Sequence, residues 1–401
     1  MLLEILKTMT AQDAMRPPTA IVMLNLGGPA TLDDVEPFLL KLFADREIMP
    51  LPFQGSLGPW IAKRRAPKVR ERYTEIGGGS PILYWTRLQG EGMVRLLDQL
   101  SPETAPHKFY PAFRYAYPFS EDVIQEMKAD GVERAVAFTQ YPQYSCATTG
   151  SSLNELWRAV RKLGLEREFK WSVIDRWPTH PGFIAEVWKS IEEGLTSFPE
   201  SEQGDVLLLF SAHSLPLNIV NRGDAYPQEV GASVHAVMQS IDFSNEYLLS
   251  YQSSVGPVQW LGPSTESILQ KLGAQKRRNV LVVPIAFTSD HIETLHEIDI
   301  EFKELAEKAG ITNFKRARAL NDSPGFQQAL AEIVSTHLQA GEICSSQYGL
   351  RCPGCTNPAC KVILNPVLPD GHPMEGIDFS PEVYPHNIKR KANPFQLFER
   401  K

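Results

Sequence analysis

Short apolar runs rich in β-branched residues recur along the chain, at residues 20–26, 109–115, 135–139, 171–174, 206–210, 247–251 and 280–287. Between them the apolar positions change to helical spacing, as at residues 153–163 and 227–241. Strand-length runs without alternation read as strands buried on both faces, and the longer amphipathic stretches read as helices. Strand followed by helix, repeated, implies right-handed βαβ units and parallel sheets. The first unit is typical: residues 20–26 end at Gly27-Gly28-Pro29, and Thr31 with Asp34 forms a capping-box start to a helix running through Phe43. The polar stretch PESEQG at 199–204 separates two halves with about four strands each. The fold expected is therefore α/β, two similar doubly wound domains, with the best ligand site in the cleft between them. Residues 1–18 form an N-terminal extension, 19–198 the first domain, 199–343 the second, 344–360 a cysteine-bearing segment and 361–401 a Pro-rich tail.

The stretch after the last strand organises the rest. Thr288 or Ser289 is the expected N-cap of a long helix, and Asp290, His291, Glu293, His296, Glu297, Asp299 and Glu301 follow in close succession. Glu293, Glu297 and Glu301 are spaced i, i+4, i+8, which stacks their carboxylates along one face. On an exposed helix such a ladder is ordinarily a solvated stripe. Placed directly after an apolar strand it faces the crevice where open α/β sheets gather their chemistry, and it reads as a path for cations or protons. His213, in FSAHSLP, sits at a second strand end and can exchange protons near neutral pH. His180, in DRWPTHPG, more simply starts a helix.

Composition narrows the classes. With 43% apolar and 22% charged residues over 401 positions the chain is a globular protein, and its net charge of −7 argues against a general nucleic-acid binder. No apolar run reaches the roughly eighteen residues of a membrane-spanning helix, so membrane contact would be peripheral. Residues 1–18, with Glu4 and Asp13, match neither a secretory nor a transit peptide well. Residues 41–72 break the strand–helix rhythm: Leu51, Phe53, Leu57, Trp60 and Ile61 mix with Lys63, Arg64, Arg65, Lys68, Arg70 and Arg72. That mixture suits a membrane interface equally as well as a loop packed on its own domain. Gly77-Gly78-Gly79-Ser80 lacks the Gly-Lys-Ser/Thr of a nucleotide loop and reads as a ligand-facing turn.

The five cysteines carry a local signal of their own. Cys352, Cys355 and Cys360 are spaced C-x2-C-x4-C, with Cys146 the candidate fourth ligand and Cys344 the spare. Four thiolates suit zinc or an iron–sulfur cluster, and spacing does not separate the two.

Taken together, SAHSLP around His213, FTSDHIETLHEID around His291 and Glu293, QYPQYSCATTGSS around Cys146, NRGDAYPQEV, VGPVQWLGP and the final cysteine spacing resemble the ferrochelatase family of the animal and fungal iron–sulfur type. The resemblance spans about residues 19–360. It implies the two Rossmann-like domains of the chelatase fold and an enzyme, a lyase that inserts Fe²⁺ into protoporphyrin IX to form protoheme, the terminal step of heme biosynthesis. It also implies a homodimer held peripherally on the matrix side of the mitochondrial inner membrane. By the same resemblance His213, His291, Glu293, Glu297 and Glu301 are catalytic, and Arg65, Tyr73, Ser80, Arg114, Trp260 and Phe287 hold the porphyrin. Cys146, Cys352, Cys355 and Cys360 are implied to ligate a [2Fe-2S] cluster. The family often has Asp where Glu332 stands here, and Glu332 receives no role.

The chemistry required agrees with the residue types. Metallation removes two pyrrole protons and strips water from the ion; a histidine with an ordinary pKa of about 6.5 accepts protons, and carboxylates exchange a hard divalent ion without trapping it. Other readings are a chelatase for coproporphyrin or another metal, a porphyrin or iron carrier, and an iron–sulfur sensor. Only the enzymes need the proton acceptor.

Overall fold

The computed structural model describes residues 16–48, 51–348, 350 and 352–355. Its strands form two parallel four-stranded sheets, ordered β2-β1-β3-β4 and β6-β5-β7-β8. In the first, β1 (Thr19–Asn25) runs between β2 (His107–Phe113) and β3 (Arg134–Thr139), with β4 (Lys170–Ile174) at the edge. In the second, β5 (Leu207–His213) runs between β6 (Tyr247–Gln252) and β7 (Asn279–Pro284), with β8 (Asn313–Arg316) at the edge. The central strands β1, β5 and β7 are buried along almost their whole length, as continuous apolar runs in a parallel sheet should be. In both sheets the strand order reverses beside the first strand, so a crevice opens at the carboxyl ends of β1 and β3, and another at those of β5 and β7.

One core joins the halves. Ile21, Met23 and Phe138 of the first sheet and Leu208, Phe210 and Leu281 of the second belong to a single buried cluster. The helix Pro324–Ala340 starts from a Ser323 cap, crosses back from the second sheet and packs on the helix Ile82–Leu100, where Gln327 donates to the Leu88 carbonyl at 3.1 Å.

Residues 41–72 depart most from expectation. Much of the segment is a helix, Gln54–Glu75, despite Pro59 and Pro67 inside it. Gly58, Ala62 and Ala66, four apart, turn one narrow face onto the helix Val35–Ala44, where Ala62 and Ala66 share a cluster with Val35, Leu39 and Phe43. Gly58 is required there, since a Cβ would stand 2.6 Å from the Phe43 carbonyl oxygen. The opposite face keeps Trp60 exposed under the Arg64 guanidinium, and Phe53 just before the helix is 87% exposed. The segment thus packs on its own domain and also presents an apolar, cationic face to solvent.

The acidic helix also starts later than expected. Thr288 and Ser289 lie in a turn, the first helical amides bond to the His291 carbonyl, and residues Glu293–Phe302 wind as a wide π-helix before Lys303–Ala309 continues as an α-helix. No side chain caps the first turn; Asp290 instead accepts from the Thr294 hydroxyl at 3.0 Å and is clamped by Asn321 and Arg316. Long π-helical segments are rare and tend to occur at functional sites.

Candidate active site

Between the two sheets lies a cavity of about 500 Å³, of the size of an ordinary small-molecule site. The strand ends build it. Leu26 to Gly28 follow β1, Gln140 and Tyr141 follow β3, His213 closes β5, and Phe287, Thr288, Ser289 and His291 follow β7. From the apolar side the helix Gln54–Glu75 contributes Arg65 and Tyr73, and the loop after β6 contributes Trp260. Ser80 is brought in by the glycine turn, which therefore serves as a helix cap: Gly78, at φ 97°, donates to the Tyr73 carbonyl at 2.8 Å, and Ser80 donates to the Pro29 carbonyl at 2.7 Å.

Opposite these stand His213, His291, Glu293, Glu297 and Glu301, all on the cavity wall. Arg114 is the exception among the residues singled out from the sequence. It is buried outside the lining, where its guanidinium pairs with Asp45 and, at 3.3 Å, with Glu47 and lies over the Tyr115 ring.

Hydrogen bonds set the protonation pattern. Nδ1 of His213 lies 2.5 Å from the Ser214 carbonyl, which can only accept, so this nitrogen carries a proton, and Nε2 faces Glu293 at 3.6 Å. His291 has acceptors on both sides, the Ser289 carbonyl at 2.8 Å and the Glu293 carboxylate. Burial opposes a charged ring there, but the Glu293 charge and both hydrogen bonds outweigh it and raise the His291 pKa above its ordinary value. Burial likewise opposes a charged Glu293, yet His291 and then His213 hold its carboxyl well below the usual range. The pair is an imidazolium and a carboxylate.

Glu297 differs. It accepts from the Ser253 amide at 2.7 Å, the Ser253 hydroxyl at 2.5 Å and the Gln252 amide at 3.0 Å, yet burial, aided by the nearby Glu293 charge, pushes its pKa up. The ladder therefore contains a carboxylate fixed as an anion next to one ready to take a proton. Glu301, farther out, accepts from Arg72 at 2.5 Å.

A family model for ferrochelatase matches residues 18–338. The chain belongs to the ferrochelatase family. The mitochondrial ferrochelatase of Xenopus laevis is 57% identical over 349 residues, covering 87% of this chain and 85% of that protein. The human mitochondrial ferrochelatase is 56% identical over 347 residues, 86% and 82% of the two chains. Among solved structures, SirB from Bacillus subtilis with Fe³⁺ aligns at a TM-score of 0.48 with 10% identity, over 81% of this chain and 98% of that one.

The ferrochelatase cysteine motif is described in part. Among the described residues no group of three or more His, Cys, Asp or Glu side chains stands placed to hold a metal ion, and Cys360 lies outside them. Cys146 and Cys352 nevertheless reach the same turn: the Cys146 amide donates to Asp224 at 2.8 Å, while the 352–355 segment packs on Gly223 and donates from Gly354 to the Arg222 carbonyl at 3.0 Å.

Sequence reasoning passed over Ser253 and Gln252, which fix Glu297, and the partners of His296. Position 296 lies inside the acidic stretch and was the available signal; Glu75, which binds it, is 221 residues away.

Proposed function

We propose that this chain inserts Fe²⁺ into protoporphyrin IX, and that the residues on the polar wall perform the metallation. The observation that carries the reading is one carboxylate, Glu293, held between His213 and His291 on the polar wall of the cavity. Phe287, Trp260 and Tyr73 form walls against which a flat aromatic macrocycle can lie, and Arg65 and Ser80 are donors suited to its propionates. Nε2 of His213 accepts a pyrrole proton, and the resulting imidazolium is stabilised by Glu293. The second proton goes to the acidic helix, where Glu297 has the raised affinity for it. Oxygen ligands of Glu297 and Glu301 pass the ion inward; hard oxygen donors exchange Fe²⁺ without the trapping that thiolates would cause. An anaerobic assay with Fe²⁺ and protoporphyrin IX tests this through the visible spectrum of protoheme; an unchanged porphyrin spectrum refutes it.

The cysteines fit a [2Fe-2S] cluster in donor chemistry, with Cys146, Cys352, Cys355 and Cys360 as ligands, because two of them already meet at the 222–224 turn. Bound there, it would supply a one-electron centre and a tie between the C-terminal segment and the helix start at Cys146. The reading extends to a mitochondrial location, since the relatives above are named mitochondrial. On the matrix face of the inner membrane, peripheral contact would run through Phe53, Trp60 and the neighbouring cations, in a homodimer. No helix among the described residues is long and apolar enough to cross a membrane.

A further inference from the structure

Arg65 and Arg72 stand two turns apart on one face of the helix Gln54–Glu75, and both line the main cavity with Val69 between them. At 1.5 Å per residue their backbones are separated by about 10 Å along the axis. Arg65 lies over the Phe43 ring, and among the described residues no carboxylate pairs with it. Arg72 has one partner, Glu301, whose Oε1 accepts from Nη2 at 2.5 Å. The Arg72 Nε is buried and has no hydrogen-bond partner.

An arginine and a carboxylate frequently meet through two parallel N–H···O bonds, with both oxygens engaged. Here one nitrogen meets one oxygen, so holding Glu301 does not account for the rest of the guanidinium. The two arginines also oppose each other: burial, and then the Arg72 charge, lowers the Arg65 pKa. Two cations on one helix face with a single carboxylate partner between them make a site short of anions. A planar guanidinium with a free edge takes a carboxylate in a fixed orientation, which an ammonium does not. We propose that Arg72 is a carboxylate anchor of the porphyrin site, taking one propionate through its free edge at Nε while Arg65 takes the other. Glu301 then acts as a positioning group, fixing the guanidinium from one side so that the remaining edge meets the ligand. The substrate class this selects is a planar macrocycle with two carboxylates side by side on one edge. The inference rests on the reading of the cavity as a porphyrin site.

The test is porphyrin binding to the full chain, read by quenching of tryptophan fluorescence, with protoporphyrin IX and its dimethyl ester presented in the same detergent. The ester keeps the macrocycle and removes both charges. Arg72→Gln should weaken the diacid about tenfold or more and leave the ester unchanged. Arg72→Lys keeps the charge without the fork; it should recover part of that loss, and it still weakens the diacid alone if the first variant fails to fold. Arg65→Gln combined with Arg72→Gln should bind the diacid no better than the ester. In turnover, Arg72→Gln should raise the KM for porphyrin by a larger factor than it lowers kcat. Equal weakening of diacid and ester by Arg72→Gln, or of neither, overturns the anchor and leaves Arg72 as a support for Glu301. A wild type that binds both forms alike keeps the porphyrin reading and loses the anchor, whereas one that binds neither loses both.

Discussion

Nε2 of His213, at the tip of β5, lies 3.6 Å from one oxygen of Glu293, while Nε2 of His291 closes on the other. One carboxylate thus joins two sheet-edge histidines, and its charge state is tied to theirs. Because the Glu293 pKa is lowered, its share of stability is present above the ordinary carboxylate pKa and is lost as pH falls through the depressed value. Because the His291 pKa is raised, its share is complete below its ordinary value and is lost as pH rises through the raised one. Thermal melts of wild type and Glu293→Gln should therefore differ most between about pH 5 and 6.5 and converge in alkali. A difference that widens from about pH 7 to 9 contradicts the imidazolium–carboxylate assignment.

Gly58 allows the two lip helices to touch, with the Phe43 carbonyl only 2.6 Å from where a Cβ would be. Gly58→Leu should lower stability by about 1–3 kcal/mol through overpacking, measured by denaturant unfolding. No loss would mean that these helices part freely.

Phe53 and Trp60 are exposed on the same segment as Arg64 and Lys63. Replacing both aromatics with Ser should weaken co-sedimentation with anionic liposomes, and added salt should weaken what remains. Equal binding by the two proteins would assign the face another role.

The strands of both sheets except β8 were legible because buried parallel strands read as uninterrupted apolar runs. β8, NFKR, is a half-buried edge strand with no such run, and it was missed. Pro59 and Pro67 hid the helix Gln54–Glu75, whose formation is decided by packing on Val35–Ala44. The carboxylate ladder was visible as spacing, but its π-helical winding was not, since residues four apart share a face in either helix. Local motifs placed His213 and His291 at strand ends; contacts between distant segments, such as His296 with Glu75 and Arg72 with Glu301, have no local signature.

The thiols predict a colour. Purified protein should absorb in the visible through thiolate-to-iron transitions that bleach on reduction, Cys355→Ser should abolish the band, and Cys344→Ser should retain it. A colourless protein with one equivalent of zinc contradicts the cluster.

The account's central claim is that His213 and the acidic helix take the protons displaced by iron. Anaerobic turnover with saturating Fe²⁺ and protoporphyrin IX, measured for wild type, His213→Ala and Glu293→Gln, tests it most directly. Protoheme formation by the wild type should fall by ~100-fold or more in His213→Ala while porphyrin binding persists. Glu293→Gln should also be slow. Full turnover in both variants would contradict the account.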